Sequence, residues 1–214
     1  AGAYAGEHCL ALWRHDQGRG PCGVRQDGIG LVAGKEYVGY VVAAAVSGGP
    51  VLEVALESGT PPLPHPVVRL TGLSREYRRL AFRFRADQTT DCASFSLRIS
   101  GAGLVWLGCA SLMPADNIQG MRADVLALIK QLNPPIMRWP GGNFVSGYNW
   151  KDGIGERDRR PPRWERAWGN VEDNDFGLDE FMAFCHQLGT EPYIAVNTGL
   201  GSVQDAAEEV ESAT

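Results

Sequence analysis

Short stretches of apolar residues, several of them alternating with polar ones, fill the first half of the chain. In the clearest case Leu80, Phe82 and Phe84 alternate with polar or small neighbours, as expected when one face of a strand is buried. The predicted strands are residues 38–45, 50–57, 77–85, 94–99 and 104–107. Gly and Pro separate them at a spacing of about ten residues, which is typical of antiparallel sandwiches and barrels. We therefore predict an all-β sandwich for residues 1–109.

A helical period replaces this alternation after residue 110. Apolar residues at three- and four-residue spacing predict one helix over 120–132 and another over 176–188, with Gly189 as the residue that ends it. Ser202 is predicted to cap a third helix, because Asp205 follows it three residues later.

Two short apolar runs, 136–139 and 191–197, lie between these helices and are predicted strands. Strands that alternate with helices indicate a parallel α/β architecture, in which ligands collect at the carboxyl ends of the strands. Two such units cannot close an eight-stranded barrel, which needs roughly 200 residues or more. Residues 110–214 are therefore predicted to be either an incomplete barrel or a smaller open sheet, with an irregular segment reaching to about residue 174.

The charge and the cysteine content exclude several functional classes. The 214 residues carry a net charge of −5 without a block of Lys or Arg, which argues against a nucleic-acid partner. No run approaches the roughly 20 apolar residues of a membrane helix. The five cysteines are odd in number and form no C-x-x-C pair, which argues against a disulfide framework and favours the cytoplasm over secretion. Since the first residue is Ala, we expect an internal piece of a longer protein.

The end of the first predicted strand carries the most suggestive polar group. Two consecutive glycines allow a sharp turn after Arg138, and the amide of Asn143 then offers both a hydrogen-bond donor and an acceptor. Hydroxyl-rich ligands need both. The alternative is a plain turn in which Asn143 caps its own backbone.

The segment that follows is rich in aromatic residues. Six of them fall within thirty positions: Trp139, Phe144, Tyr148, Trp150, Trp164 and Trp168. Flat aromatic faces suit the C–H faces of a sugar ring, and interleaved Asn and Asp residues suit its hydroxyl groups. The alternative is that they fill the core beneath the loop, which we expect of at least half of them.

Other motifs are missing or uninformative. There is no H-E-x-x-H, no phosphate-binding loop and no G-x-S-x-G, so the sequence predicts no metal site and no nucleophile elbow. Glu208, Glu209 and Glu211 are predicted to form a solvated helix face. The scattered histidines are expected to be structural or surface residues: His8, His15, His65 and His186.

Residues 110–214 resemble the first part of the catalytic barrel of glycoside hydrolase family 51, the α-L-arabinofuranosidases. The matching segments are GMRAD (120–124), RWPGGNFVSGY (138–148), WKDGIG (150–155), RWERAW (163–168), NDFGL (174–178), EF (180–181) and GTEPYIAVN (189–197). The first half resembles, more weakly, the carbohydrate-binding-module-like β-sandwich of some members. The resemblance implies a multi-domain chain: a sandwich followed by the first βα units of a (β/α)₈ barrel that is incomplete here.

The resemblance also implies a reaction. Family members remove terminal arabinofuranosyl groups from arabinoxylan, arabinan and their oligosaccharides with retention, without metal or cofactor. Retention needs two carboxylic acids about 5 Å apart. The family's acid/base follows an Asn in an Asn-Glu pair, which this chain lacks. Both catalytic Glu residues are therefore expected downstream, with the rest of the barrel and a C-terminal β-domain as partners, and the chain alone is expected to be inactive. Whether the protein forms homo-oligomers is left open by the sequence.

Four substrate-binding residues follow from the family's motifs. Asn143 matches a residue that hydrogen-bonds the arabinose hydroxyls, and Trp168 matches a loop Trp that shields the sugar. Arg138 matches a strand-end Arg, which we expect to keep the nucleophile ionised. Asn197 ends the second strand near the site. Arg138 as a bridge between barrel carboxylates and Asn197 as a tie between loops are the structural alternatives.

Two alternative hypotheses for the function remain. One is a non-catalytic carbohydrate-binding protein whose affinity comes from the sandwich. The other is a family member that cleaves β-xylosidic or β-1,4-glucan linkages. A downstream Asn-Glu pair would distinguish the enzyme from the binding protein, and aryl glycosides would distinguish the substrates.

Overall fold

The computed structural model describes residues 2–15, 20, 22–57 and 66–213. The prediction for His65 lies outside these residues. Two compact units divide the chain, Ala1–Gly120 and Met121–Thr214. Within the described part, no helix is long and apolar enough to cross a membrane.

The first unit is a sandwich of two four-stranded antiparallel sheets, as the alternating pattern predicts. Its strands are β1 (Leu10–Arg14), β2 (Cys22–Leu31), β3 (Glu36–Gly48), β4 (Val51–Glu57), β5 (Val67–Leu70), β6 (Arg78–Arg85), β7 (Thr90–Ser100) and β8 (Gly103–Pro114). One sheet has the order β1-β8-β3-β6 and the other the order β2-β7-β4-β5. All five predicted strands are present. That this sandwich binds carbohydrate stays a prediction.

The core of the sandwich lies between the inner faces of the two sheets. Val41 of β3, Leu52 and Val54 of β4, and Val105 of β8 are completely buried there. Complete burial of side chains of this size stabilises a fold by about 1.5–3 kcal/mol each. The burial of one face of each strand in this interface between the sheets explains why apolar residues alternate along the strands.

Strand β3 is buried on its outer face as well. Val42 and Ala44 are 2% and 0% exposed, although they point away from the core that holds Val41. The segment before β1 contacts the neighbours of β3 in this sheet. Tyr4 lies against Gly108 of β8, and its ring packs 5.1 Å from that of Tyr77, just before β6. The N-terminal segment therefore connects the two strands that flank β3.

The last sandwich strand is longer than its apolar run indicates. β8 continues to Pro114, where it pairs with Tyr37 of β3, so the predicted domain boundary at residue 109 falls inside a strand. The boundary between the two units lies after Gly120 in the chain. Pairing with β3, and not apolar content, decides where β8 ends.

The second unit alternates helices with short strands. Its elements are α1 (Ala123–Leu132), β9 (Ile136–Trp139), α2 (Gly142–Val145), β10 (Arg163–Glu165), β11 (Asn170–Glu172), α3 (Leu178–Leu188), β12 (Glu191–Ile194) and α4 (Val203–Ser212), with 3₁₀ turns at Trp150–Gly153 and Arg157–Arg159. β9 and β12 pair in parallel. The barrel start predicted from the resemblance is compatible with this two-stranded sheet, and barrel closure stays a prediction.

The predicted helix boundaries hold closely. Gly189 ends α3 in the left-handed conformation at φ 71°, which glycine adopts without steric cost. The Ser202 hydroxyl accepts a hydrogen bond of 3.0 Å from the Asp205 N–H at the start of α4. The second strand is shorter than predicted, since β12 ends at Ile194 and residues up to Asn197 are already in the loop.

The prediction of an irregular segment up to residue 174 is wrong in part. β10 and β11 form an antiparallel hairpin in which Trp164 pairs with Val171, and two 3₁₀ turns precede it. These elements are three or four residues long, too short for a sequence period to be recognised.

Candidate functional site

A buried ion pair fixes the long loop between α2 and α3 to the body of the second unit. Arg160 is 5% exposed, and its guanidinium donates to both carboxylate oxygens of Glu180 in α3, at 2.8 and 3.1 Å. Arg157 donates to the same carboxylate at 3.0 Å. Burial alone would raise the pKa of Glu180, but the hydrogen bonds from Arg160, the Gly177 N–H and Arg157 outweigh it and lower the pKa to about 2. The loop is therefore held by a carboxylate that is ionised at neutral pH.

The end of β9 turns sharply, as the two glycines predict. Gly141 and Gly142 have φ values of 75° and 48°, in the region that favours glycine, and α2 begins there. Asn143 follows in α2 and is exposed, and Arg138 is exposed on β9 with its guanidinium against Gly141. Both predicted residues therefore lie at the carboxyl end of the first parallel strand, open to solvent.

Trp168 lies in the turn of the β10–β11 hairpin. The Glu165 carboxylate orders this turn by accepting hydrogen bonds from the N–H groups of Ala167 and Trp168, at 2.7 and 2.6 Å. The indole itself is 73% exposed. An indole that is held by its backbone and left open to solvent is suited to contact a ligand.

A cavity of about 340 Å³, which we call the rim cavity, lies beneath Trp168. Its lining residues are Trp139, Pro140, Phe144, Tyr148, Glu165, Trp168, Asn170, Glu172 and Phe176. The Trp139 ring packs edge-on against Tyr148, and Phe144 lies 4.9 Å from the same phenol. The rim cavity thus combines an aromatic wall with two carboxylates and an amide, a mixture typical of small-molecule sites.

The side chain of Asn197 ties two loops together. Its side-chain oxygen accepts hydrogen bonds from the N–H groups of Gly199, Leu200 and Gly201, each at 3.1 Å, and its Nδ2 donates to the Tyr148 carbonyl at 3.0 Å. Of the four predicted site residues, only Trp168 lines the rim cavity. Arg138 and Asn143 stand at the strand end, and Asn197 lines a second cavity described below.

The six aromatic residues divide between core and surface. Trp150 is buried at 9% exposure, and its Nε1 donates to the Asp205 carbonyl at 3.1 Å. Trp164 is 65% exposed, like Trp168, whereas Trp139, Phe144 and Tyr148 are half-buried. The three half-buried residues, Trp139, Phe144 and Tyr148, form the aromatic wall of the rim cavity.

Sequence reasoning missed several carboxylates. Glu165 and Glu172 line both cavities, and neither was predicted as a site residue. Glu209 was predicted to be solvated, which is wrong, because its side chain is buried at 2% exposure and burial raises its pKa. The spacing offered a signal, since Glu209 follows Ala206 by three residues and shares the inner face of α4.

Comparison with known proteins finds the family that the sequence motifs resemble. A family model described as "Alpha-L-arabinofuranosidase 1 domain" matches residues 128–214. The probable α-L-arabinofuranosidase C of Aspergillus clavatus is 50% identical over 98 residues, which are 46% of this chain and 19% of that protein. The second unit is similar to part of a family 51 α-L-arabinofuranosidase.

Two further arabinofuranosidases are similar to part of this chain. The intracellular exo-α-L-arabinofuranosidase of Bacteroides ovatus is 45% identical over 113 residues, 52% of this chain and 22% of that protein. The α-L-arabinofuranosidase of Thermotoga maritima, solved as an arabinose complex, is 49% identical over 44% of this chain and 19% of its own, with a TM-score of 0.43. The chain thus spans about a fifth of the curated arabinofuranosidases that it matches. The resemblance noted in the sequence is confirmed for this part.

Proposed function

We propose that the chain forms part of a retaining, exo-acting α-L-arabinofuranosidase that removes terminal arabinofuranosyl groups from arabinoxylan, arabinan or their oligosaccharides. The observation that carries the proposal is the family match over residues 128–214, which include all four candidate residues. The role of the chain is to build one side of the sugar site.

The rim cavity supports a sugar ligand in physical terms. Trp168 offers an exposed flat face, and Trp139 and Phe144 continue the apolar surface inward. The oxygens of Glu165 and Glu172 can accept hydrogen bonds from sugar hydroxyls near that surface. In this proposal, Asn143 reaches the ring from the strand end.

The reaction itself needs two carboxylic acids, one as nucleophile and one as acid/base. Because the sequence contains no Asn-Glu pair, the proposal assigns both to residues other than these 214. Arg138 has no ion pair or hydrogen bond among the described residues and is exposed. A carboxylate placed beside it would have its pKa lowered, as a nucleophile must to stay ionised.

The test is Asn143→Ala in the full-length protein that contains this chain. We expect kcat/KM on an aryl α-L-arabinofuranoside to fall about 10²-fold, since hydrogen bonds to sugar hydroxyls strengthen in the transition state. Gln131→Ala, which removes an exposed amide from α1, is the matched control and should leave activity unchanged.

Activity of Asn143→Ala within twofold of the parent would reject this role. Faster cleavage of an aryl β-xyloside than of the arabinofuranoside would reject the substrate. No cleavage of either, together with retention on insoluble xylan, would identify a binding protein instead.

A further inference from the structure

A second, larger cavity lies on the other side of Tyr148 from the rim cavity. We call it the inner cavity; its volume is about 780 Å³, within the range of roughly 300–1,000 Å³ that small-molecule sites occupy. Phe144, Tyr148, Glu165 and Glu172 line both cavities and therefore separate them. The inner cavity extends from there to α4, where Glu209 lines it.

Three of its lining side chains carry buried polar atoms without a hydrogen-bond partner among the described residues. They are Tyr148 Oη, Asn174 Oδ1 and Glu209 Oε1. Asn174 and Glu209 are 1% and 2% exposed. An unsatisfied buried polar atom costs about 1–3 kcal/mol, and folded proteins hold few of them. Three around one cavity indicate that something with complementary groups occupies it.

The ionic lining argues against an anion. Asp152, Glu165, Glu172, Asp205 and Glu209 outnumber the basic side chains of the cavity. Among those basic side chains, Arg163 is paired with Asp152 at 2.8 Å, and Lys151 is paired with Asp205 at 3.0 Å. Bringing a negative ligand among these carboxylates would be electrostatically unfavourable.

The donor set argues against a metal ion as well. In the described part of the chain, no three His, Cys, Asp or Glu side chains come together in a way that could hold one. Three carboxylates of the cavity also have separate partners within the protein. Asp152 and Asp205 bind basic side chains, and Glu172 accepts the Asn174 N–H at 3.0 Å.

Hydroxyl groups match the three unsatisfied atoms better than an amine does. The free atom of Asn174 only accepts, because its Nδ2 already donates to the Pro161 carbonyl at 2.7 Å. Burial raises the pKa of Tyr148, with nearby carboxylates adding to the effect, so its O–H can donate as well as accept. The free Oε1 of the buried Glu209 can accept a hydrogen bond. An ammonium group only donates and would leave the Tyr148 O–H without an acceptor.

We propose that the inner cavity is a second binding site for a neutral sugar, of the size of a pentose, with Tyr148, Asn174 and Glu209 as its hydrogen-bonding residues. Trp150 and Trp164, which line this cavity and not the rim cavity, give it apolar walls. The inference rests on the proposed function for the choice of a pentose, and it places a second sugar in the inner cavity, next to the one in the rim cavity.

The two cavities have separate spectroscopic reporters. The indole N–H signals of Trp150 and Trp164 report on the inner cavity, and those of Trp139 and Trp168 report on the rim cavity. We expect titration of the chain with L-arabinose or D-xylose, followed by ¹⁵N NMR, to give saturable shifts at Trp150 and Trp164.

Two variants test the residues. Tyr148→Phe removes a hydroxyl that makes no hydrogen bond to the described residues, so the fold should be unaffected while sugar affinity falls about tenfold. Glu209→Leu should abolish the shifts, whereas Glu211→Leu, on the exposed side of the same helix, should leave them unchanged. If Glu209→Leu does not fold, Tyr148→Phe alone decides.

The outcomes separate this inference from the proposed function. Shifts confined to Trp139 and Trp168 would overturn the inner site and leave the hydrolytic proposal standing. Saturable shifts at Trp150 and Trp164 would support the inner site even if the full-length protein proved inactive. No saturable shift at these two indoles, or unchanged affinity in both variants, would show that the cavity holds water only.

Discussion

Replacing Glu180 by Gln tests how strongly the long loop is fastened. The carboxylate is 9% exposed and receives hydrogen bonds from Arg157, from the buried Arg160 and from the Gly177 N–H at 2.8 Å. Its pKa is lowered from the ordinary 4.5 to about 2. This difference corresponds to about 3 kcal/mol, and removing one partner of a buried pair costs about 3–5 kcal/mol. We therefore expect Glu180→Gln to lower the free energy of unfolding by about 3 kcal/mol at pH 7.

The stabilisation by Glu180 should depend on pH. Because the folded pKa lies below the unfolded one, the stabilisation is fully present above about pH 4.5 and is lost as the pH falls towards 2. The stability difference between the parent chain and Glu180→Gln should therefore shrink over this interval.

Urea titrations at several pH values, followed by tryptophan fluorescence, measure this difference. Asp179→Asn, an exposed neighbour on α3, is the control and should change stability by less than about 0.5 kcal/mol. Equal urea midpoints for Glu180→Gln and the parent at pH 7, or a stability gap that does not change down to pH 2, would refute the reasoning.

Three other substitutions have definite outcomes. Gly39→Ala should destabilise the sandwich, because a Cβ there would overlap the Ser111 carbonyl oxygen and the Phe82 ring, while Gly30→Ala has open space; thermal melting compares them. Ser202→Ala should cost about 1 kcal/mol in urea unfolding through the lost cap of α4, and no loss would contradict that role. Trp168→Ala should raise KM about tenfold in the full-length protein without changing its melting temperature, because the indole is 73% exposed.

The sequence predicts a strand well when one of its faces packs on the core and the other faces solvent, because apolar and polar residues then alternate. β6 and β7 alternate clearly, and both were found. β2 was missed, because Arg25–Gly28 interrupts its apolar positions and its pairing with β7 shifts register after Gln26. A bulge of this kind breaks the period of two on which the prediction depends.

The helix α4 shows why the inner cavity was not predictable. Its apolar residues Val203 and Val210 are 89% and 55% exposed, while Glu209 is buried. The rotation of the helix is set by its contacts with Trp150 and Lys151, which lie more than fifty positions away in sequence. Tertiary contacts therefore oppose the hydrophobic pattern here. The strand-end residues Arg138 and Asn143 were predictable because their place follows from strand direction alone.

Tyr4 has a practical consequence for anyone who trims this chain. An expression boundary drawn at the first strand, Leu10, would remove Tyr4 and its contacts with Gly108 and Tyr77. The shortened sandwich would then expose apolar surface around Tyr77, which favours aggregation, although the core between the two sheets is unchanged.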